Sequence, residues 1–297
     1  MPQSLKMTRR DWLLLIALSL LWGGSFFFVE LVVGRLPPLL IAWLRVTLAA
    51  GVLAGVLGIL RLPFPSGWAA WRALVVMGLI NNVLPFSLFV LAQTQISSSM
   101  AAILNATTPL FALIVAHLVT GDERMGAAKL CGVGLGFAGV AVMMRPEATA
   151  PATLLAQAAC LAAALCYGLA TVWGRRFRTM GVAPLATAFG MLASSSVLLL
   201  PAALWGRPWA LPLPGGTVIG AILALAVLST ALAYLIYFRL LASAGAVNLA
   251  LVTFLIPVSA IGLGVLVLGE RLGLAHFAGL ALILIGLAAI DGRLTRR

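Results

Sequence analysis

The residues of this sequence that could do chemistry are polar side chains set inside apolar stretches. Asn81 and Asn82 interrupt a run that is otherwise apolar from position 74 to position 92. A hydrogen-bonding group that faces lipid is costly, so such groups usually face the interior of a helix bundle or a wet cavity. Because residues three, four and seven apart share a helix face, Asn82 falls on one face with Phe86 and Phe89. This spacing predicts a stripe that lines a cavity.

Stripes of the same kind recur on four other predicted helices, and we expect them to line a central cavity that binds a small solute. Asn, Ser and Thr also join transmembrane helices through hydrogen bonds that contribute on the order of 0.6–2 kcal/mol each, and for any single residue this alternative stays open. The predicted cavity residues are Trp22, Ser25, Asn82, Phe86, Asn105, Gln157, Tyr167, Thr230, Tyr234, Tyr237 and Thr253.

One carboxylate falls clearly within a predicted span, Glu30, and the comparable cation is Arg45. Glu30 lies about eight residues beyond the middle of its run, which is roughly 12 Å along a helix. Arg45 enters the next run from the same side, so an ion pair with Glu30, either structural or gating, is the simplest use of both charges.

Motifs of enzymes are absent from the sequence. It contains no H-E-x-x-H, no G-x-S-x-G and no Walker loop. Cys131, Cys160 and Cys166 match no zinc or redox spacing and are expected to be packing residues. We therefore predict no enzymatic activity, no cofactor and no metal site.

The amino-acid composition indicates whether the chain lies in water or in a lipid bilayer. The chain is 63% hydrophobic and 9% charged, against roughly 45–50% and 25% in soluble domains. Apolar runs of the length that spans a bilayer, about 20 residues, recur along all 297 residues. The sequence therefore predicts an all-α integral membrane protein with ten transmembrane helices. The predicted spans are Trp12–Val33, Pro37–Leu60, Trp71–Ala92, Ser98–Val119, Ala127–Met144, Ala152–Trp173, Ala183–Leu204, Gly216–Leu241, Val247–Leu268 and Gly273–Ile290.

The net charge of +12 is distributed unevenly between the two ends of these helices. If the N-terminus is cytoplasmic, only Arg35, Arg145, Arg207 and Arg271 lie outside, whereas fourteen Lys and Arg residues lie inside. This positive-inside bias predicts that both termini are cytoplasmic, and it assigns the basic residues to lipid headgroups rather than to nucleic acid. Arginine outnumbers lysine seventeen to two, which is typical of a GC-rich bacterial gene, so we expect the inner, cytoplasmic membrane.

The chain repeats itself. Residues 78–125 align with residues 226–272, so that Asn81-Asn82 match Ser229-Thr230 and Phe86 matches Tyr234. Trp22-Gly23 match Tyr167-Gly168 more weakly. Each repeat has five helices, an odd number, so the second repeat enters the membrane from the opposite side. We predict two inverted repeats around a central cavity, at residues 1–146 and 147–297, and a monomer because one chain holds both.

Pro109 and Pro257 occupy matching places in the two repeats. Proline inside a helix frees a backbone carbonyl and bends the helix. We predict that the pair forms hinges, and static kinks that shape the cavity are the alternative.

Several of these segments together resemble the drug/metabolite transporter superfamily and its EamA-type members. The resemblance rests on the two tandem five-helix units and on four segments, and it covers nearly the whole chain. The segments are Leu21-Trp-Gly-Gly-Ser25, Asn105-Ala-Thr-Thr-Pro109, Phe254-Leu-Ile-Pro257 and the Gly-Glu-Arg that ends at Arg271. Within that superfamily the sequence resembles the YddG-like amino-acid exporter group.

That resemblance implies secondary export of amino acids or similar small metabolites through a cavity lined mainly by helices 1, 3, 4, 6, 8 and 9. Small multidrug relatives carry their proton-coupling carboxylate near the middle of helix 1, where this sequence has Leu21 and Trp22 instead. We therefore expect facilitated movement by alternating access. A proton-coupled drug or metabolite antiporter and a polar-lined channel are the alternatives.

Overall fold

The computed structural model describes residues 7–120, 125–144 and 151–290. These residues form ten helices, and seven of them are long and apolar enough to cross a membrane by length and composition. The other three, Ala127–Met144, Val252–Leu268 and Leu274–Ile290, are shorter but close to spanning length. The helices are α1 Arg9–Val32, α2 Pro38–Ile59, α3 Trp68–Ala92, α4 Ser98–Val119, α5 Ala127–Met144, α6 Pro151–Thr179, α7 Pro184–Trp205, α8 Gly216–Gly245, α9 Val252–Leu268 and α10 Leu274–Ile290.

The ten predicted spans correspond one to one with these helices, and the all-helical membrane fold is confirmed. The predicted end of helix 6 at Trp173 was wrong, because α6 continues through its basic segment to Thr179. Hydropathy marks the length that contacts lipid, whereas Arg is a good helix former and extends a helix beyond it. Gly181, with φ of +68°, follows the end of the helix.

The packing of the helices follows the inverted repeat. Helix α1 packs on α9, and the equivalent pair α6 and α4 also pack together. The pair α2 and α8 has its equivalent in α7 and α3, while α2–α7 and α5–α10 each pair a helix with its own counterpart. Exchanging the two halves therefore reproduces the same set of helix contacts, as expected for two repeats related by a pseudo-twofold axis in the membrane plane. The boundary predicted between residues 146 and 147 lies outside the described residues.

Glycines bring α5 and α10 into backbone contact. A Cβ built on Gly279 would lie 2.6 Å from the carbonyl oxygen of Gly139, and one on Gly132 would lie 2.7 Å from that of Gly286. Such distances leave no room for any side chain, which is how small residues let transmembrane helices approach closely. These two helices end the two repeats, so the contact joins the halves.

Helices α3 and α8 each contain a π-helical segment near the middle of the helix. The segments are Leu79–Val83 and Ala224–Leu232, and they overlap in the repeat alignment. A π turn adds one residue to the helical period, so the faces on its two sides are offset by about 100° relative to an unbroken α-helix. This offset decides which side chains reach the centre of the bundle.

The two predicted hinge prolines differ in their surroundings, because Pro109 lies next to a break in its helix whereas Pro257 lies inside a continuous helix. Helix α4 is interrupted at Ala106 and Thr107, and Pro109 stands in the first turn of its second segment. Pro257 lies inside α9, whose start at Val252 follows non-helical backbone at Gly245, with φ of +78°. The break in α4 supplies a place where that helix can bend, and hinge motion at either proline stays a prediction.

Orientation can be tested with two exposed positions at opposite ends of the helices. In a background without the three native cysteines, an impermeant maleimide added to intact cells is expected to label Leu213→Cys and to leave Thr179→Cys unlabelled. Both side chains are exposed, so the difference reports sidedness. The reverse labelling pattern would overturn the cytoplasmic placement of the termini. Residues 145–150, which the same orientation predicts to be outside, are not among the described residues.

Candidate solute cavity

A cavity of about 720 Å³ lies between the two repeats. At one end it reaches the connection of α6 and α7, where Arg178 and Gly181 are exposed. At the other end it stops at the buried side chains of Gln93 and Val90. With the predicted orientation, the open end faces the cytoplasm and the closed end faces outside.

Nine of the eleven predicted cavity residues line this space, and Asn82 and Gln157 do not. Helices α2 and α7 also contribute to the wall, through Arg45, Thr187 and Met191, beyond the six helices expected from the resemblance. The nine are Trp22, Ser25, Phe86, Asn105, Tyr167, Thr230, Tyr234, Tyr237 and Thr253.

Two aromatic–glycine pairs place aromatic rings symmetrically in the cavity wall. A Cβ on Gly23 would lie 2.9 Å from the backbone nitrogen of Ala260 in α9, and a Cβ on Gly168 would lie 2.9 Å from that of Ala112 in α4. Each glycine therefore allows its helix to pack closely against a helix of the other repeat. Because adjacent residues of a helix point about 100° apart, the preceding Trp22 or Tyr167 is turned into the cavity.

Aromatic rings form much of the lining. The ring centroids of Trp22 and Tyr237 are 5.7 Å apart, and Phe89 stacks with Tyr167 at 6.2 Å. Such pairs bury large apolar area while leaving hydroxyl and indole groups available for hydrogen bonds. The wall therefore suits a solute that has both an apolar body and polar substituents.

Asn81, rather than Asn82, lines the cavity, so the sequence-based face assignment was off by one residue. The Asn81 side-chain nitrogen donates to the Tyr234 hydroxyl at 3.0 Å. Asn82 is fully buried and donates to the Ser195 hydroxyl of α7 at 3.2 Å, so it joins helices. The physical reason is the π turn, in which residues five positions apart lie on the same side of the helix. Residue 81 therefore shares a face with Phe86. An unbroken α-helical period assigns that face to residue 82.

Gln157 is fully buried in the second turn of α6, about 9 Å from the start of that helix at Pro151. It is absent from the cavity wall. Tyr167, which was predicted on the same face of α6 ten residues further along, does line the cavity. The cavity does not extend outward as far as Gln157. The cavity boundary is set by side chains of other helices, which the periodicity of α6 cannot reveal.

The predicted ion pair between Glu30 and Arg45 is not formed in the described part of the chain. The Glu30 carboxylate accepts a hydrogen bond from the Gln93 side chain at 3.1 Å, and the Arg45 Nε donates to the Thr230 hydroxyl at 2.9 Å. Glu30 lies two residues from the end of α1, about 3 Å in depth, whereas Arg45 lies seven residues inside α2, about 10 Å. The two charges therefore lie at different depths, and the predicted ion pair between them was wrong.

The outer end of the cavity is closed by α1 and α3. The rings of Phe26 and Phe89 meet edge to face at 5.3 Å, and both are buried. Beyond them the Gln93 side-chain nitrogen donates to the carbonyl oxygen of Phe26 at 2.9 Å as well as to Glu30. This layer separates the cavity from the outer side.

A second contact at the outer side links the two repeats through Glu270. Its carboxylate accepts hydrogen bonds from the backbone N–H groups of Ser98 and Ser99, at 2.9 and 3.1 Å, and from both serine hydroxyls. These serines form the first turn of α4, where unpaired N–H groups and the helix dipole favour a negative charge. Gly269, with φ of +70°, ends α9 and positions the carboxylate there. The Gly-Glu-Arg motif was recognised from the sequence, but not its contact with α4.

Comparison with known proteins supplies the identity of the family. The sequence profile of the EamA-like transporter family matches residues 11–145 and 154–290. The chain belongs to the EamA-like transporter family. The two matches, one for each half, agree with the two inverted repeats and place the chain in the drug/metabolite transporter superfamily.

Curated relatives match over most of their length. The uncharacterized transporter YvbV of Bacillus subtilis is 28% identical over 95% of this chain and 92% of its own. The uncharacterized inner membrane transporter YedA of Escherichia coli is 28% identical over 93% of this chain and 89% of its own. Protein PecM of Dickeya dadantii is 29% identical over 91% and 88%. The EamA membership shows a multi-pass membrane transporter rather than an enzyme, and the relative YedA is named as an inner membrane protein.

A protein crystal structure is similar to the whole molecule. It superposes with a TM-score of 0.70 at 21% sequence identity and covers 97% of this chain and 99% of that chain. At this identity the likeness concerns the fold alone.

Proposed function

We propose that this transporter exports small metabolites, most readily neutral or aromatic amino acids, by facilitated alternating access. The observation that carries the proposal is the cavity between the inverted repeats, open at the α6–α7 end and closed at the other. With the predicted orientation it accepts solute from the cytoplasm. The resemblance to the YddG-like exporters supports amino acids as the solute class.

A carrier fits this cavity better than a channel does. A channel in its conducting state needs a continuous path, whereas Phe26, Phe89 and Gln93 close the outer end with buried side chains. In a transporter with inverted repeats, each repeat can adopt the conformation of the other, which closes the open side of the cavity and opens the closed side. Exchange of this kind requires the solute to bind before it crosses.

Purified protein in proteoliposomes tests the proposal by counterflow. Vesicles loaded with unlabelled phenylalanine are expected to take up radiolabelled phenylalanine transiently above equilibrium, and uptake should saturate. Asn81→Leu, which removes a polar group from the cavity wall, should lower this uptake at least several-fold. Linear, non-saturating flux with single-channel currents would contradict the carrier, and the absence of counterflow across a panel of amino acids would remove that solute class.

Energy coupling is tested in the same vesicles. Glu30 lies near the outer end of α1 and is absent from the cavity wall, so it is poorly placed to exchange a proton for solute. With equal phenylalanine on both sides and an imposed pH gradient, we expect no net accumulation and preserved counterflow in Glu30→Gln. Uphill accumulation that collapses with an ionophore and disappears in Glu30→Gln would establish proton coupling instead.

A further inference from the structure

Arg45 is a buried charge in the cavity wall, and the described part of the chain gives it no acidic partner. Its side chain is 7% exposed. The acidic residues in that part of the chain are Asp11, Glu30 and Glu270, and each is hydrogen-bonded to other residues. Placing an unpaired charge in a low-dielectric interior costs several kcal/mol, so its presence calls for a compensating group.

The geometry leaves one side of the guanidinium available. Its Nε donates to the Thr230 hydroxyl at 2.9 Å, and its central carbon lies 3.7 Å from the centroid of the Phe86 ring. These contacts fix the plane of the group through one hydrogen bond and one cation–π contact. Guanidinium has five N–H donors, and within the described residues no other hydrogen bond uses them. Donors fixed in a plane suit bidentate binding of a carboxylate.

The equivalent contact between helices at the matching place in the other repeat contains no charged group. Asn82 is the repeat counterpart of Thr230, and it contacts α7 through the Ser195 hydroxyl, whereas Thr230 contacts α2 through Arg45. One inter-repeat contact is therefore made by neutral groups and its counterpart by a cation. Packing of the helices alone does not account for the arginine.

We propose that Arg45 binds the carboxylate of the solute. The inference rests on the proposed transport function and narrows its solute class to monocarboxylates, amino acids included. A single deep cation balances one negative charge, and the rings of Trp22, Phe89 and Tyr237 provide an apolar surface for the rest of the molecule. No acidic residue lines the cavity within the described residues, so an amine without a carboxylate finds no ion-pair partner there.

Thermal stabilisation of the purified transporter tests this, because a ligand stabilises the state to which it binds. The probes are 3-phenylpropionate, phenylalanine and 2-phenylethylamine, which share a ring and differ in their charged groups. We expect the two carboxylates to raise the melting temperature of the native protein and the amine to leave it unchanged. Equal stabilisation by the amine, or no response to either carboxylate, would overturn the proposal without any variant being needed.

Substitutions then locate the effect. Arg45→Gln should raise the carboxylate concentration for half-maximal stabilisation roughly 10- to 100-fold, as expected for loss of charge-assisted hydrogen bonds. Arg45→Lys should retain part of the response, and Arg72→Gln, which removes an exposed charge from α3, should retain all of it. An unchanged response in folded Arg45→Gln would refute the assignment. If Arg45→Gln still shows counterflow with the same solute preference, the transport function stands and only the role of Arg45 is refuted. If the native protein shows no counterflow, the proposed transport function is itself refuted.

Discussion

Replacing Gly139 by leucine is expected to abolish recovery of folded transporter. A Cβ at this position would lie 2.9 Å from the Cβ of Leu282 and 3.0 Å from the backbone nitrogen of Ile283, both in α10. Ordinary carbon contacts need about 3.5–4.0 Å, and a backbone atom cannot move without separating the helices. Overpacking of a well-packed core costs about 1–3 kcal/mol, and this site should exceed that range because the contact is with backbone atoms that join the two repeats.

Gly134 provides a matched control on the same helix. It is exposed, and a Cβ there would meet nothing within 4 Å, so Gly134→Leu adds an apolar side chain on the lipid-facing side. Fluorescence-detected size-exclusion chromatography of both variants gives the comparison. We expect a monodisperse peak close to the native yield for Gly134→Leu and almost none for Gly139→Leu. Similar yields for the two variants would show that the backbone contact does not hold the repeats together.

Removing the carboxylate of Glu270 should open the outer side. Glu270→Ala deletes the acceptor of four hydrogen bonds to the first turn of α4 while leaving the helices otherwise intact. One charge-assisted hydrogen bond contributes about 1.5–3 kcal/mol, which corresponds to roughly a 10- to 100-fold shift between closed and open forms. The contact joins α4 of one repeat to the end of α9 of the other, so its loss favours separation at this end.

A cysteine at Val90 reports that opening. Val90 is 1% exposed and lines the closed end of the cavity, so an impermeant maleimide added outside intact cells should react slowly with Val90→Cys. Adding Glu270→Ala should raise the rate at least 10-fold, whereas adding Arg271→Ala, which removes the neighbouring exposed charge, should not. If both double variants react at the same rate as Val90→Cys alone, Glu270 does not hold the outer side closed.

The sequence alone was sufficient for the ten helices and for their repeat. Hydropathy and helical length are properties of each local segment in its solvent, so the apolar runs predicted the spans closely. The inverted repeat followed from matching motifs and an odd helix count, and it also aligned Trp22-Gly23 with Tyr167-Gly168. The structure places these two pairs at equivalent packing sites.

Tertiary structure decided which polar groups face the cavity and which partners they have. Asn81 replaces Asn82 in the wall because a π turn shifts the helical register, and no periodicity rule contains that turn. Glu30 binds Gln93, Arg45 binds Thr230 and Glu270 binds the start of α4, and all three contacts join helices that are distant in sequence. Depth and direction of a side chain depend on where other helices place their atoms. The chain therefore specifies its spans locally, while its charged contacts arise only when the helices are packed together.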